Sequence, residues 1–208
     1  FAIEARKGER VVHSFEPNPF TLEIQRKTIS LNGITNIVLN NVGVGDKLGM
    51  KTFYCERGFK GYLWGSFESS NPYVPGTERE PQKIKIVTID DYVTKNDFSN
   101  LSFIKMDIEG HEYPALTGME QTLKRFKPII MMEMSLSRMV ASDDNRFLKT
   151  LEFLKRHEYE IYVLNNNKLE KYYWPNKRVT DWFVIPEVGL NPNIDKVMSK
   201  HIRNSHRN

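Results

Sequence analysis

The sequence predicts an α/β fold, a sheet flanked by helices on both faces. Three observations carry that expectation. Strand-like and helix-like stretches alternate along the chain. Leu101–Met106 is a short, largely apolar run and Pro128–Met132 is apolar on both faces, as parallel strands covered on two sides are. Between them Leu116, Met119, Leu123 and Phe126 recur at helical spacing.

In chain order, Phe1–Lys7 reads as the end of a helix, broken at Gly8-Glu9, and Arg10–Phe15 as a short strand. Asn18-Pro19 starts a helix, an Asn cap followed by proline at the first helical position. That helix carries Phe20, Leu22, Ile24, Ile29 and Leu31 and stops at Asn32-Gly33. Asn36–Asn40 is the next strand, running into a turn region at Val42–Asp46. Met50–Cys55 is a further strand, expected to be antiparallel. Residues 56–80, rich in Gly, Ser, Pro and aromatics, read as a long irregular segment, and such segments often serve as lids. Lys83–Ile89 alternates Lys and Ile as a half-exposed strand, and Asp90–Val93 makes a helical turn. Pro114 fits the first turn of the helix that follows Asp107. Asp143–His157 is a second amphipathic helix, with Phe147, Leu148, Leu151 and Leu154 on one face. Tyr159–Leu164 and Val179–Ile185 are the closing strands, expected as a hairpin joined by a loop containing Asn165-Asn166-Asn167.

The 208 residues fit one domain with one sizeable core, and 39% hydrophobic with 27% charged residues is a globular mixture. We read residues 1–186 as that domain and 187–208 as a basic tail holding Lys196, Lys200, Arg203 and Arg207. No apolar run approaches the ~18 residues of a membrane span, so no membrane partner is expected. A lone cysteine, Cys55, gives no disulfide framework and suits a reducing, cytoplasmic compartment. There is no zinc-type spacing, Walker loop or arginine–aromatic array, so nucleic acid is not an expected partner. Nothing in the sequence sets the oligomeric state.

Ligands of open α/β sheets bind outside the carboxyl ends of strands, so polar residues there are the candidates. Glu16 follows Val11–Phe15. A carboxylate there can accept both hydroxyls of a ribose, a device shared by nicotinamide and adenosyl enzymes, or can simply face the start of the next helix. Asp107-Ile108-Glu109-Gly110-His111-Glu112 places three carboxylates and an imidazole just after a buried strand. They can orient a hydroxyl, accept its proton or hold a divalent cation; alternatively they decorate a helix N-terminus. We favour no metal here. Glu133 closes an apolar strand, where a charge needs a partner or a solvent opening. Trp64–Phe67 could close over a ligand or pack its own aromatics, and Asp181-Trp182-Phe183 reads as core with a turn acid.

Five motifs in order resemble one family. Val11–Glu16 with Pro17-Asn18-Pro19 resembles the second-strand motif of FkbM-type methyltransferases, and Phe103–Glu112 with Leu116 and Gly118 resembles their most distinctive motif. Pro128–Glu133 is similar to their fifth strand; Asn41–Asp46 and Thr88–Tyr92 stand where family counterparts would. The resemblance runs from about residue 10 to 186. It implies a Rossmann-like class I methyltransferase sheet with S-adenosylmethionine (SAM) at the strands' carboxyl ends. By that resemblance Glu16 takes the ribose hydroxyls with Asn18 beside it, and Val44 and Asp46 lie near the adenine. Asp107 stands near the methionine part or the reacting methyl. Asp107, Glu109 and His111 are the catalytic candidates, for O-methylation of a sugar or small-molecule hydroxyl. The family opens with a strand and a glycine-rich turn that Phe1–Gly8 does not resemble. This reading therefore expects the first strand and Gly-rich turn to be missing, the chain being N-terminally incomplete. The alternatives are an inactive Rossmann-like fragment and a nicotinamide-dependent oxidoreductase.

Overall fold

The computed structural model describes residues 10–58, 61–67, 78–134, 145–165, 168–173, 181–187 and 189, with backbone only for 57, 58 and 61–64. The expectations for Phe1–Lys7, for Val179 and for the basic tail beyond residue 189 lie outside the described residues. The fold is mixed α/β, in two compact units, Phe1–Thr88 and Ile89–Asn208. No helix among the described residues is long and apolar enough to cross a membrane.

In the first unit β1 (Val12–Phe15) runs parallel to β2 (Ile37–Asn40), Val12 opposite Ile37 and Phe15 opposite Asn40. Helix α1 (Pro19–Leu31) connects them, and its N-cap is the expected Asn18, whose side chain accepts from the Phe20 and Thr21 N–H groups. Its apolar face is narrower than expected: Leu22 is buried, but Ile24 and Leu31 are exposed. Ile24 stands about 200° around the helix from Leu22, too far to share a face.

A separate sheet holds β3 (Gly43–Val44), β4 (Gly49–Gly58), β5 (Gly61–Ser66) and β6 (Glu78–Val87), in the order β3-β6-β4-β5. β4 is antiparallel to both neighbours, as expected. Much of the segment read as irregular is strand: β4 continues to Gly58, β5 returns against it, and β6 starts at Glu78. One glycine that suggested a loop, Gly65, serves packing here. A Cβ on Gly65 would lie 2.4 Å from the Phe53 ring, so only glycine lets the two strands approach. Phe53, Cys55 and Ile84 form this sheet's core, with Phe20 and Phe67 against it.

The second unit begins with α2 (Ile89–Lys95) and β7 (Phe103–Met106). Next come α3 (Glu112–Thr117), α4 (Glu120–Phe126), β8 (Ile129–Glu133) and α5 (Arg146–Arg156). Strands β9 (Tyr159–Asn165), β10 (Lys168–Lys171) and β11 (Asp181–Pro186) complete it. The sheet order is β10-β9-β11-β8-β7, with β7 and β8 parallel and the other pairs antiparallel. β7 is the edge of this sheet and is not covered on both sides: Phe103 and Lys105 are exposed. The single helix expected after Asp107 is two, broken at Gly118-Met119. There the Asp90 carboxylate accepts from the Gln121 and Thr122 N–H groups and caps α4. The closing pair also differs. β9 turns into β10, while β11 lies antiparallel between β9 and β8. The core holds Met106, Leu116, Leu123, Ile130, Met132, Trp182 and Val184. α5 turns Phe147, Phe153 and Leu154 inward, with Leu148 left exposed; Phe147 meets the Trp182 ring edge-on at 5.5 Å.

Candidate functional site

Glu16 leaves β1 where pairing with β2 ends, its N–H donating to the Asn40 carbonyl at 2.9 Å. Carboxylate Oε1 accepts from the Asn18 N–H at 2.7 Å. Oε2 faces Gln25 Nε2 at 3.5 Å, one long contact from two turns along α1. Asn41, at the end of β2, donates Nδ2 to the Glu16 carbonyl at 2.8 Å and fixes the loop. Asn18 is 2% exposed, and its Oδ1 caps the helix. Burial raises the Glu16 carboxyl above its ordinary value, and the Asn18 N–H opposes the rise. The Glu16 and Glu80 charges, after burial, push the Cys55 thiol up to about 11, so Glu16 acts within electrostatic range of the Phe53–Cys55 core.

Val44 stands on β3 opposite Val87, and the Gly45 N–H donates to the Val87 carbonyl at 3.0 Å. Gly43 is buried against Phe67 and Ile86, and Phe67 meets Phe53 edge-on at 5.0 Å. Asp46 is exposed just beyond. Trp64 is among the residues described by backbone only; Ser66 is buried and accepts from Arg79 Nη2 at 3.0 Å.

In the second unit Asp107 follows β7 and Glu133 ends β8. The register pairs Met106 with Met132, so the two carboxylates leave adjacent parallel strands side by side. Glu133 also faces Asp181 across the antiparallel ladder. Lys105 Nζ lies 3.1 Å from Asp107 Oδ2, and the Asp107 side chain is 46% exposed. The Glu133 carboxyl is raised by burial first, then by a hydrogen bond with Asp107 and by the charges of Asp107, Glu109 and Asp181.

Beyond Asp107 the backbone turns through Glu109 (φ 58°) and Gly110 (φ 92°), two successive left-handed residues. The Gly110 N–H donates to Glu112 Oε1 at 3.1 Å. His111, the N-cap of α3, is buried and makes no side-chain capping bond. Glu112 is 2% exposed; burial raises its carboxyl, against the pull of backbone N–H groups at Glu112, Gly110 and Ile108. Glu112 is thus a turn brace. Among the described residues no group of three or more His, Cys, Asp or Glu side chains is arranged to hold a metal ion.

The structure therefore brings Glu16 and Asn18 together in one junction. It brings Asp107, Glu109 and His111 together in another and adds Glu133 and Asp181 to it. Val44 and Asp46 belong to a different strand end from Glu16. Lys105, Gln25 and Arg146 were missed in the sequence. Only Gln25 had a signal there, seven residues after the Asn18 cap and so on the same helix face.

Comparison with known proteins completes the assignment. A crystal structure of methyltransferase FkbM from Methylobacillus flagellatus KT matches 84% of this chain at 20% identity and a TM-score of 0.48. The match spans 36% of that protein, so the chain covers about a third of its length. A search of curated proteins finds no match. Residues 1–161 match the model of the methyltransferase FkbM domain, and on that match over most of its length the chain belongs to this family.

Proposed function

We propose that this chain is the working part of an S-adenosylmethionine-dependent methyltransferase that methylates a hydroxyl on a sugar or small-molecule acceptor, on a Rossmann-like sheet. The observation that carries the reading is Glu16, a desolvated carboxylate at the carboxyl end of β1, with Oε2 met, among the described residues, by the long contact from Gln25. Each carboxylate oxygen can accept a second donor, so Glu16 fits a ribose diol even while holding the Asn18 N–H. Val44 offers an apolar flank and Asp46 an exposed acceptor suited to an adenine amine. When bound, SAM supplies an electrophilic methyl on a sulfonium.

The remaining work falls to the chain. Asp107, the more exposed of the proton-accepting candidates, takes or steers the proton of the acceptor hydroxyl, while His111 is buried beneath the turn. A hydroxyl holds its proton tightly, so a carboxylate is a useful base only late, as the oxygen becomes acidic on bonding to carbon. Glu133, its carboxyl raised by burial and by neighbouring acids, leaves the adjacent strand beside Asp107. Glu109 adds negative charge beside them. The test is a transfer assay with methyl-labelled SAM against a panel of glycans and small hydroxylated compounds. Labelled product supports the reading. Calorimetric binding of a nicotinamide dinucleotide in place of SAM would sink it.

A further inference from the structure

The turn that carries Glu109 needs a reason to hold. A non-glycine residue in the left-handed region costs about 1–2 kcal/mol, and such a residue persists only where its surroundings over-determine it. Three bonds do so here. The His111 N–H donates to the Ile108 carbonyl at 3.3 Å. Glu112 accepts the Gly110 N–H at 3.1 Å. Arg146 Nη1 donates to the Gly110 carbonyl at 2.9 Å, from the first residue of a helix thirty-six positions along the chain. Gly110 is thus gripped on both sides by ionisable groups, and charge-assisted bonds are the stronger kind. Arg146 is itself anchored. Its neighbour Phe147 packs on Trp182, and Trp182 follows Asp181, which stands opposite Glu133. The anchor and the carboxylates therefore belong to one connected frame.

We infer that Arg146 is a positioning residue: its guanidinium clamps the Gly110 carbonyl and thereby sets where Asp107 and Glu109 stand against Glu133. A catalytic consequence rests on the methyl-transfer reading above; the geometric consequence does not. The groups facing Glu133 are Asp107 with its neighbour Lys105 on β7, Glu109 in the turn, and Asp181 on β11. Releasing the turn lets Glu109 and Asp107 retreat from Glu133.

The experiment uses Arg146→Ala and Arg146→Lys in the full chain. The first readout is the Glu133 titration followed by carboxyl-carbon NMR. In Arg146→Ala its midpoint should move down toward the ordinary carboxyl range, and added guanidinium should restore it. Arg146→Lys, which keeps the charge on a different head group, should fall between and serves if the alanine variant does not fold. The second readout is methyl transfer. A displacement of about 1 Å at reacting groups can cost a hundredfold, so kcat should drop by up to about that factor while SAM affinity by calorimetry stays as in the parent. An unmoved Glu133 midpoint in a folded variant overturns the clamp. A parent protein that transfers no methyl group overturns the reaction instead, and the titration still decides the clamp.

Discussion

Glu16 and Asp107 each come directly after the last residue of a strand, β1 and β7, and each precedes a turn into a helix. Their surroundings differ in kind. Around Glu16 the partners are donors: the Asn18 N–H, the Gln25 amide and, on the carbonyl, Asn41. Asp107 meets Lys105 Nζ at 3.1 Å and leaves its strand beside Glu133, whose carboxyl feels the charges of Asp107, Glu109 and Asp181. The first junction rests on a thirteen-residue helix with a full Asn cap. The second is a strained double left-handed turn into a six-residue helix. A carboxylate met by donors has its oxygens already oriented to accept hydrogen bonds, the arrangement a pair of hydroxyls needs. Among neighbouring acids a carboxyl holds its proton more tightly, as Glu133 does beside Asp107, Glu109 and Asp181. On the methyl-transfer reading proposed above, the first junction holds the cofactor and the second handles the proton.

Charge removal at the second junction should have the largest effect. Asp107→Asn keeps the shape and the contact with Glu133 but cannot accept a proton. If Asp107 handles the proton, kcat should fall by about 10²–10⁴. SAM affinity should barely change, so a loss confined to affinity would reverse the assignment of roles. Glu16→Ala should show the opposite split. A hydrogen bond to a charged group is worth roughly 1.5–3 kcal/mol. SAM binding by calorimetry should therefore weaken about ten- to a hundredfold, with the domain still folded. Unchanged affinity would remove Glu16 from the cofactor. Asn18→Ala is smaller again. Losing an N-cap costs about 1 kcal/mol, and denaturant unfolding should report that loss. Because the same turn supports Glu16, SAM affinity should follow to a lesser degree.

The first junction was legible in the sequence almost residue by residue. Asn18-Pro19 and Asn32-Gly33 bracket α1 because capping chemistry is local, and Glu16 stood out as the acid after an apolar run. The second was legible as a cluster but not as a geometry. The parallel partnership of β7 and β8 could be anticipated from their apolar runs. That Glu133 hydrogen-bonds Asp107 depends on register, and that Arg146 reaches Gly110 depends on tertiary packing; no short-range pattern encodes either. The hairpin of β4 and β5 was hidden for another reason. Its Gly65 admits the Phe53 ring, and in a sequence such a glycine resembles a loop glycine. Likewise Leu148 was expected inside α5 and Phe153 was not, although Phe153 adjoins Thr150 and Leu154 on the helix's buried side. Its place was settled by what it packs against, the Tyr113 ring among others.

The finest test of the contrast lies in the pH dependence of stability at Glu133. Its folded-state midpoint is raised, by burial first and then by Asp107, Glu109 and Asp181, above an ordinary value near 4.5. A carboxyl raised in the folded state binds its proton more tightly there than in the unfolded chain. Its contribution to stability therefore declines as pH climbs from the ordinary carboxyl range through the raised midpoint, and levels off above it. Glu133→Gln stays neutral throughout and can still donate to Asp107. The variant should melt at or above the parent temperature near neutral pH, and the gap should close as pH falls below the ordinary carboxyl range. Glu16 is also raised, but its donors oppose the rise, so Glu16→Gln should show a weaker trend of the same sign. Equal pH trends for the two variants in thermal melts would mean that burial alone governs both carboxyls, and the distinction between a holding junction and a proton-handling one would go with it.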